Sequence, residues 1–371
     1  MLTPKKLKFL LPVISFQLII ALPRFAVQEG AYCNLCHVNP TGGGLRNDYG
    51  TTVFALEELP MQAMQKFGNE DWDGFVGEFL QIGGDFRVLG LAYTKDNEQK
   101  TAFFPMQADL YTYLEINEKA GIFYKIALGQ NNPEYWTLLS ILPNDGWIRF
   151  GRTLPNFGSK LDDHTSFIRG GNLSRSNRLN SDKEGLIFNP WVDLPAILEF
   201  GMYPVDQISI TTSFSDGIVG NAENLGDLNF TTRVNFIHSI FNAVNINTGI
   251  SFMQESDFQM KGISGSISLD NLTLSGEIDQ AKNWPYGITA LASNSELVYK
   301  FKQGIHFIGK YDFFDPDQEW KSGAITRYTI GVELFPLNIL EVKLQSRFNQ
   351  LNQNGTTQLD PEFLIQFHTW F

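Results

Sequence analysis

Cys33-Asn34-Leu35-Cys36-His37 is the stretch of this chain whose residue types and spacing can do chemistry. Two thiols three positions apart can add to the two vinyl groups of a haem, and the histidine that follows supplies an imidazole to the iron. They are the only cysteines, 2 in 371 residues, and both lie just beyond an apparent export signal. Two other chemistries suit a Cys-x-x-Cys pair. In an oxidising compartment the thiols can close a disulfide, with His37 incidental. Zinc also takes thiolates, but a four-ligand site needs a second pair that the sequence lacks.

The export signal is Met1 to Ala21, where Lys5, Lys6 and Lys8 precede the mostly apolar run Phe9 to Ile20. Its removal takes three of the 28 basic residues and none of the 40 acidic ones, leaving 25 against 40, net -15. Such an excess of negative charge excludes nucleic acid as a natural partner. Beyond the signal no run approaches the ~20 apolar residues of a membrane-spanning helix, which leaves a membrane β-barrel open.

Around the motif the sequence predicts a small segment, residues 22–79. Pro40, Gly42, Gly43, Gly44, Arg46, Asn47, Tyr49 and Gly50 form a turn-rich stretch. Its glycines would let backbone approach a porphyrin face, and Arg46 would pair a haem propionate. A helix is expected around Val53 to Phe67, carrying Met61 and Met64 as candidate thioether ligands to the iron. His164 is a third candidate for that second position. It lies in the non-alternating stretch Pro155 to Ser181, whose Asp162, Asp163, Arg169, Arg175 and Arg178 suggest a charged loop folded into or over a lumen. His238, His306 and His368 fall within strands and have no motif around them.

These groups need a scaffold, and from Leu80 onward the texture is β. Tyr328, Ile330, Val332 and Leu334 alternate with Arg327, Thr329, Gly331 and Glu333, and Leu340, Val342 and Leu344 alternate with Glu341, Lys343, Gln345 and Arg347. Alternation alone does not say which face meets water. Three features favour a membrane barrel over a soluble sandwich. The pattern runs to the C-terminus without a helical period. Aromatics (Tyr93, Trp136, Trp147, Trp191, Phe313, Phe314) sit near strand ends, where interfacial girdles lie. The chain stops on Phe371, with Phe367 and Phe363 on the same face, a pattern that resembles the last strand of bacterial outer-membrane proteins. At roughly 18 residues per strand and connection, residues 80–371 make about 16 antiparallel strands. A run-by-run reading gives about 17, and Glu134 to Leu142, which does not alternate, is the suspect one.

Pro23, Phe25, Ala26, Gln28 and Gly30 lead into Cys33, Cys36 and His37 in an order that resembles the fused cytochrome-porins. Val27 stands where that family usually has Arg. The family is known from the outer-membrane monohaem iron oxidases of iron-oxidising bacteria. The resemblance implies a haem c segment plugging the lumen of an outer-membrane β-barrel. It implies electron transfer between an extracellular donor, Fe(II) among them, and a periplasmic c-type cytochrome or other redox carrier. The alternative is a diffusion or solute-uptake porin whose haem segment is a plug or sensor, with Lys300, Lys302, Lys343 and Arg347 against Glu333 and Glu341 setting selectivity. A haem-dependent catalyst would need an acid–base residue at an open iron position, and no second motif supplies one.

Overall fold

The computed structural model describes residues 24–67, 72–95, 98–128, 133–159, 163, 165–169, 185–186, 194–217, 227–241, 243–283, 287–320, 323–353 and 356–371. The export signal, Pro23, Asp162, His164, Arg175, Arg178 and Trp191 lie outside them.

The chain forms one closed antiparallel sheet. A two-residue strand, β1 (Phe75–Val76), leads into the wall strands β2 (Leu80–Lys95), β3 (Glu98–Asn117), β4 (Ala120–Ala127), β5 (Glu134–Leu142), β6 (Gly146–Arg152), β7 (Ala196–Val205), β8 (Ile208–Asp216) and β9 (Leu228–Ile240). They continue as β10 (Val244–Glu255), β11 (Phe258–Leu269), β12 (Leu272–Lys282), β13 (Thr289–Lys302), β14 (Ile305–Asp315), β15 (Ile325–Leu337), β16 (Leu340–Gln353) and β17 (Thr356–Trp370). Each wall strand pairs with the next, and β17 pairs back with β2 from Phe363↔Ala92 to Trp370↔Asp85, so the wall of sixteen strands has no free edge. One rim is made of tight hairpins. At one of them Asn144 and Asp145 both take positive φ (53° and 57°), as a short twist-matched turn requires. The other rim carries the longer connections.

The sixteen-strand estimate agrees with this wall, but Glu134 to Leu142 is a genuine strand. Its alternation fails because its inward side chains, Trp136 and Leu138, pack on the N-terminal segment instead of meeting water. Elsewhere the alternation is the inverse of a soluble protein's. On β15 Arg327, Thr329 and Glu333 are buried inside, while Tyr328 and Ile330 are exposed outside. On β4 Ile122, Tyr124 and Ile126 form the outer row, and on β17 Phe363 and Phe367 do the same. An apolar band around a closed barrel is the surface that lipid covers.

The aromatic girdle expected from Trp136, Trp147 and Phe314 is not where these residues go. All three point inward and are nearly fully buried, Trp136 and Trp147 with Tyr111, Phe123 and Leu45 in one cluster and Phe314 in another. The lumen is filled by protein, so bulky rings are useful inside it. Among the described residues no helix is long and apolar enough to cross a membrane.

Residues 24–67 lie in the lumen at the tight-hairpin rim. Asn245 Nδ2 donates to Gln28 O (2.8 Å), Gln28 Nε2 to Thr273 Oγ1 (2.9 Å) and the Met61 amide to Phe335 O (2.9 Å). Arg24 forms an ion pair with Glu333, and Arg149 Nη1 donates to Asn39 Oδ1 at 2.6 Å while its Nη2 pairs with Glu199 at 2.6 Å. The helix expected over Val53 to Phe67 starts earlier, as a wide helix Tyr49–Glu58, and breaks before a short tight helix Gln62–Phe67. Pro60 accounts for the break, since it has no amide to continue the ladder.

Candidate functional site

The Cys33–His37 stretch is a tight turn. Cys33 O accepts from the Cys36 amide (3.2 Å) and from the His37 amide (3.1 Å). Asn47 fastens it from the other side: its amide donates to Cys36 O (3.0 Å), and its Nδ2 donates to Asn34 O (2.9 Å) and Leu35 O (3.1 Å). The same side chain accepts from the Gly50 amide at 3.0 Å, which starts the wide helix against the turn. Gly50 has to be glycine, because a Cβ there would stand 2.2 Å from Cys36 O. His37 and Arg46 pair across a small loop, with the Val38 amide donating to Leu45 O at 3.1 Å. Gly42, Gly43 and Gly44 turn that loop with φ of 89°, 80° and 69°, the left-handed region that only glycine enters cheaply. A Cβ on Gly43 would meet nothing within 4 Å. Backbone conformation, then, is what demands glycine in this loop.

Cys33, Cys36 and His37 line one cavity of about 420 Å³, within the roughly 300–1,000 Å³ of cofactor and small-molecule pockets. No disulfide joins the two thiols. Near them the wall is apolar, made by Phe25, Leu35, Leu45, Phe54, Tyr111 and Phe123. Charged groups line it as well: Asp85, Arg87, Asp109, Lys125 and Glu134. Burial, reinforced by the neighbouring Arg46 charge, pushes the His37 imidazole down to about 4, so it is neutral at ordinary pH. Burial, then the Glu29 carboxylate, pushes the Cys36 thiol up to about 11. One imidazole nitrogen, Nδ1, is buried with no hydrogen-bond partner. A neutral imidazole and two thiols facing one apolar-walled cavity are a donor set that fits a covalently held haem.

Arg46 lines the cavity with its guanidinium 4.7 Å from the Trp370 ring centroid. The two methionines do not line it. Met61 packs against Gly304 at the hairpin between β13 and β14, and Met64 follows it on the short helix. His368 does line it, between Glu341 (Nδ1 to Oε2, 3.0 Å) and Asp85, so both of its nitrogens have carboxylate partners. Sequence reasoning passed over His368 for want of a motif. Its alternation with Phe367 and Phe371 places it on the inward face. Of the cations named for solute selectivity, Lys343 pairs with Glu333 (3.2 Å) and Glu341 (3.1 Å) inside the barrel. Lys302 is exposed beside the tight hairpin, and Lys300 approaches Glu58 of the N-terminal segment at 4.0 Å.

No known family model matches the chain, and no curated protein does. Solved structures do. An anion-selective porin from Comamonas acidovorans superposes with a TM-score of 0.55 at 10% identity, covering 79% of this chain and 99% of that one. The outer-membrane channel DcaP of Acinetobacter baumannii gives 0.55 at 10%, covering 79% and 97%. OprB of Pseudomonas putida gives 0.55 at 9%, covering 79% and 94%. The closed wall and its outward apolar band are thus the fold of the bacterial outer-membrane porins, with a thiol- and imidazole-lined cavity inside it.

Proposed function

We propose that the protein is an outer-membrane electron-transfer protein that holds one haem c in its lumen. Cys33 and Cys36 would hold it through thioether bonds, His37 would supply its imidazole to the iron and Arg46 would pair with a propionate. The observation that carries this reading is the convergence of both thiols and a neutral, half-buried imidazole on one cavity of about 420 Å³. A bound haem supplies a one-electron couple at the iron. The chain's residues do the rest. Asn47 and Gly50 hold the thiol turn in shape, the rings of Tyr111, Phe123 and Phe54 exclude water, and the sixteen-strand wall crosses the hydrocarbon. Since porin-type barrels keep tight turns on the periplasmic side, the site lies toward the periplasm. A soluble periplasmic redox carrier then has the shorter approach, and an extracellular donor, with Fe(II) as the first to test, delivers from the long-loop side.

The porin likeness favours a second reading, a solute channel in which the N-terminal segment is a plug or sensor. A pyridine-haemochrome spectrum of the purified barrel separates the two. One covalent haem per chain supports the electron-transfer reading, and rapid anaerobic reduction by Fe(II) adds iron as donor. Haem that stays oxidised removes iron and keeps the class. A chain without covalent haem, matching the Cys33→Ala/Cys36→Ala variant, overturns the reading.

A further inference from the structure

The inserted segment between β6 and β7 bears on solute passage independently of haem. We propose that residues 153–159, 163 and 165–169 form a fixed partition that closes the long-loop half of the barrel to solutes, so that the barrel is an insulating sleeve with no aqueous channel.

The partition is tied to strands on opposite sides of the wall. Near its start, Thr153 Oγ1 donates to Glu134 on β5 (2.6 Å), the Asn156 amide to Glu199 on β7 (3.1 Å) and Asn156 Nδ2 to Thr211 on β8 (2.9 Å). The Gly158 amide then donates to Ser251 on β10 (2.9 Å), and Arg233 on β9 donates to the Gly158 carbonyl. Across the lumen, the Ser159 amide reaches Glu277 on β12 (2.8 Å), and Arg169 pairs with that same Glu277 and with Asp279 (2.9 Å). On the far side, Ser166 Oγ donates to Asp312 on β14 (3.2 Å), Arg327 on β15 donates to Thr165 O (2.6 Å), and Asp163 meets Lys310 (3.2 Å) and Arg347 on β16 (3.6 Å).

Toward β10 to β13 the space inside these ties is packed with apolar side chains. Phe167 and Ile168 are 0% exposed and pack with Met253, Met260, Ala281, Ala290 and Ala292 from the inward faces of β10 to β13. Small alanines opposite a large ring are a packed interface, whereas the wall of an aqueous channel is polar. Glu277 and Asp279 are 1% and 0% exposed, so their carboxyl groups face Arg169 and not water. On the side away from this core, inward Leu89, Leu91 and Leu364 make a second buried apolar cluster with Tyr93, Phe104 and Met106. Phe157 belongs to the first core and also lines the thiol cavity, so the partition is that cavity's roof.

The experiment is single-channel conductance of the full-length protein in a planar bilayer, beside an open sixteen-stranded porin in the same salt. The expected conductance lies more than about tenfold below the porin's, since sixteen-stranded porins carry an aqueous lumen. Conductance at the porin level overturns the proposal. Labelling with a hydrophilic maleimide in detergent gives a second readout. Ser166→Cys stays unlabelled until the protein is denatured, while the exposed hairpin variant Asp257→Cys labels at once; prompt labelling of Ser166→Cys also overturns it. Neither measurement depends on haem, so this proposal and the electron-transfer reading fail separately.

Discussion

Gly50→Ala tests whether the thiol turn is built as described. The added Cβ would lie 2.2 Å from Cys36 O, 3.0 Å from Cys36 C and 3.1 Å from the Arg46 Cβ. Ordinary contact begins at 3.4 Å, so the helix and the turn must separate by about 1.2 Å. The main obstacle is backbone, so no side chain can rotate away. Overpacking of this kind costs about 1–3 kcal/mol. Separation would also break the Asn47 bonds to Cys36 O, Asn34 O and Leu35 O that hold the turn. The expected result is a protease-sensitive N-terminal segment on an intact barrel, with covalent haem per chain well below wild type. The barrel is monitored by its resistance to SDS before heating. Wild-type haem content together with an unchanged protease pattern in Gly50→Ala would refute the packing argument.

Three further outcomes are expected. Arg149→Ala leaves the fully buried Glu199 with the Asn156 amide but without its cation and removes the tie to Asn39, at a cost of about 3–5 kcal/mol. The fluorescence of Trp136 and Trp147, whose rings lie 5.5 and 5.7 Å from that guanidinium, reports it as an earlier urea midpoint, and an unmoved midpoint contradicts it. In the haem-free chain the folded His37 imidazole sits at about 4, below its ordinary 6.5. The unfolded chain therefore binds the extra proton first, and stability is full above about pH 6.5 and falls toward pH 4, by up to about 3 kcal/mol. Segment unfolding measured across that window should follow this slope, and a flat profile would count against the burial. Deleting Phe371 removes two backbone bonds to Gly84 (3.2 Å each) and a ring stacked at 6.4 Å on Phe86. Recovery of heat-modifiable barrel from outer membranes should drop, and wild-type yield would rule out a role for the last residue.

The wall was legible because period-two alternation survives wherever one face meets lipid. Tyr328 against Arg327 is enough to read β15, although the direction of the faces came only with closure. Legibility failed where the lumen is filled. Trp136 and Leu138 blurred β5 because their inward neighbours are apolar, and Trp147 and Phe314 passed for interfacial rings because a sequence does not say which neighbour a ring meets. The thiol turn was readable because its spacing is local. Its supports were not. Asn47 and Gly50 act through contacts with Cys36 and its neighbours, and Tyr111, Phe123 and His368 reach the cavity only because β2, β3, β4 and β17 curve around it. Met61 had the right chemistry for a ligand, but Pro60 turns it onto Gly304.

The N-terminal segment packs on β17, the strand that closes the wall against β2. Leu59 and Phe54 share a cluster with Phe335 and Trp370, Arg46 lies over Trp370, and Leu45 fills the space above Gly83, beside the carbonyl of Phe371. Biogenesis is therefore ordered in time. Residues 45–59 cannot find their seat until β17 has been synthesised and the seam between β17 and β2 is being zipped. Any group destined for Cys33 and Cys36 has to be joined while that seam is open, because afterwards a ligase the size of a protein would have no way in. Were a cofactor attached at these thiols, the unzipped chain would be the form that receives it, and closure of the seam would end the opportunity.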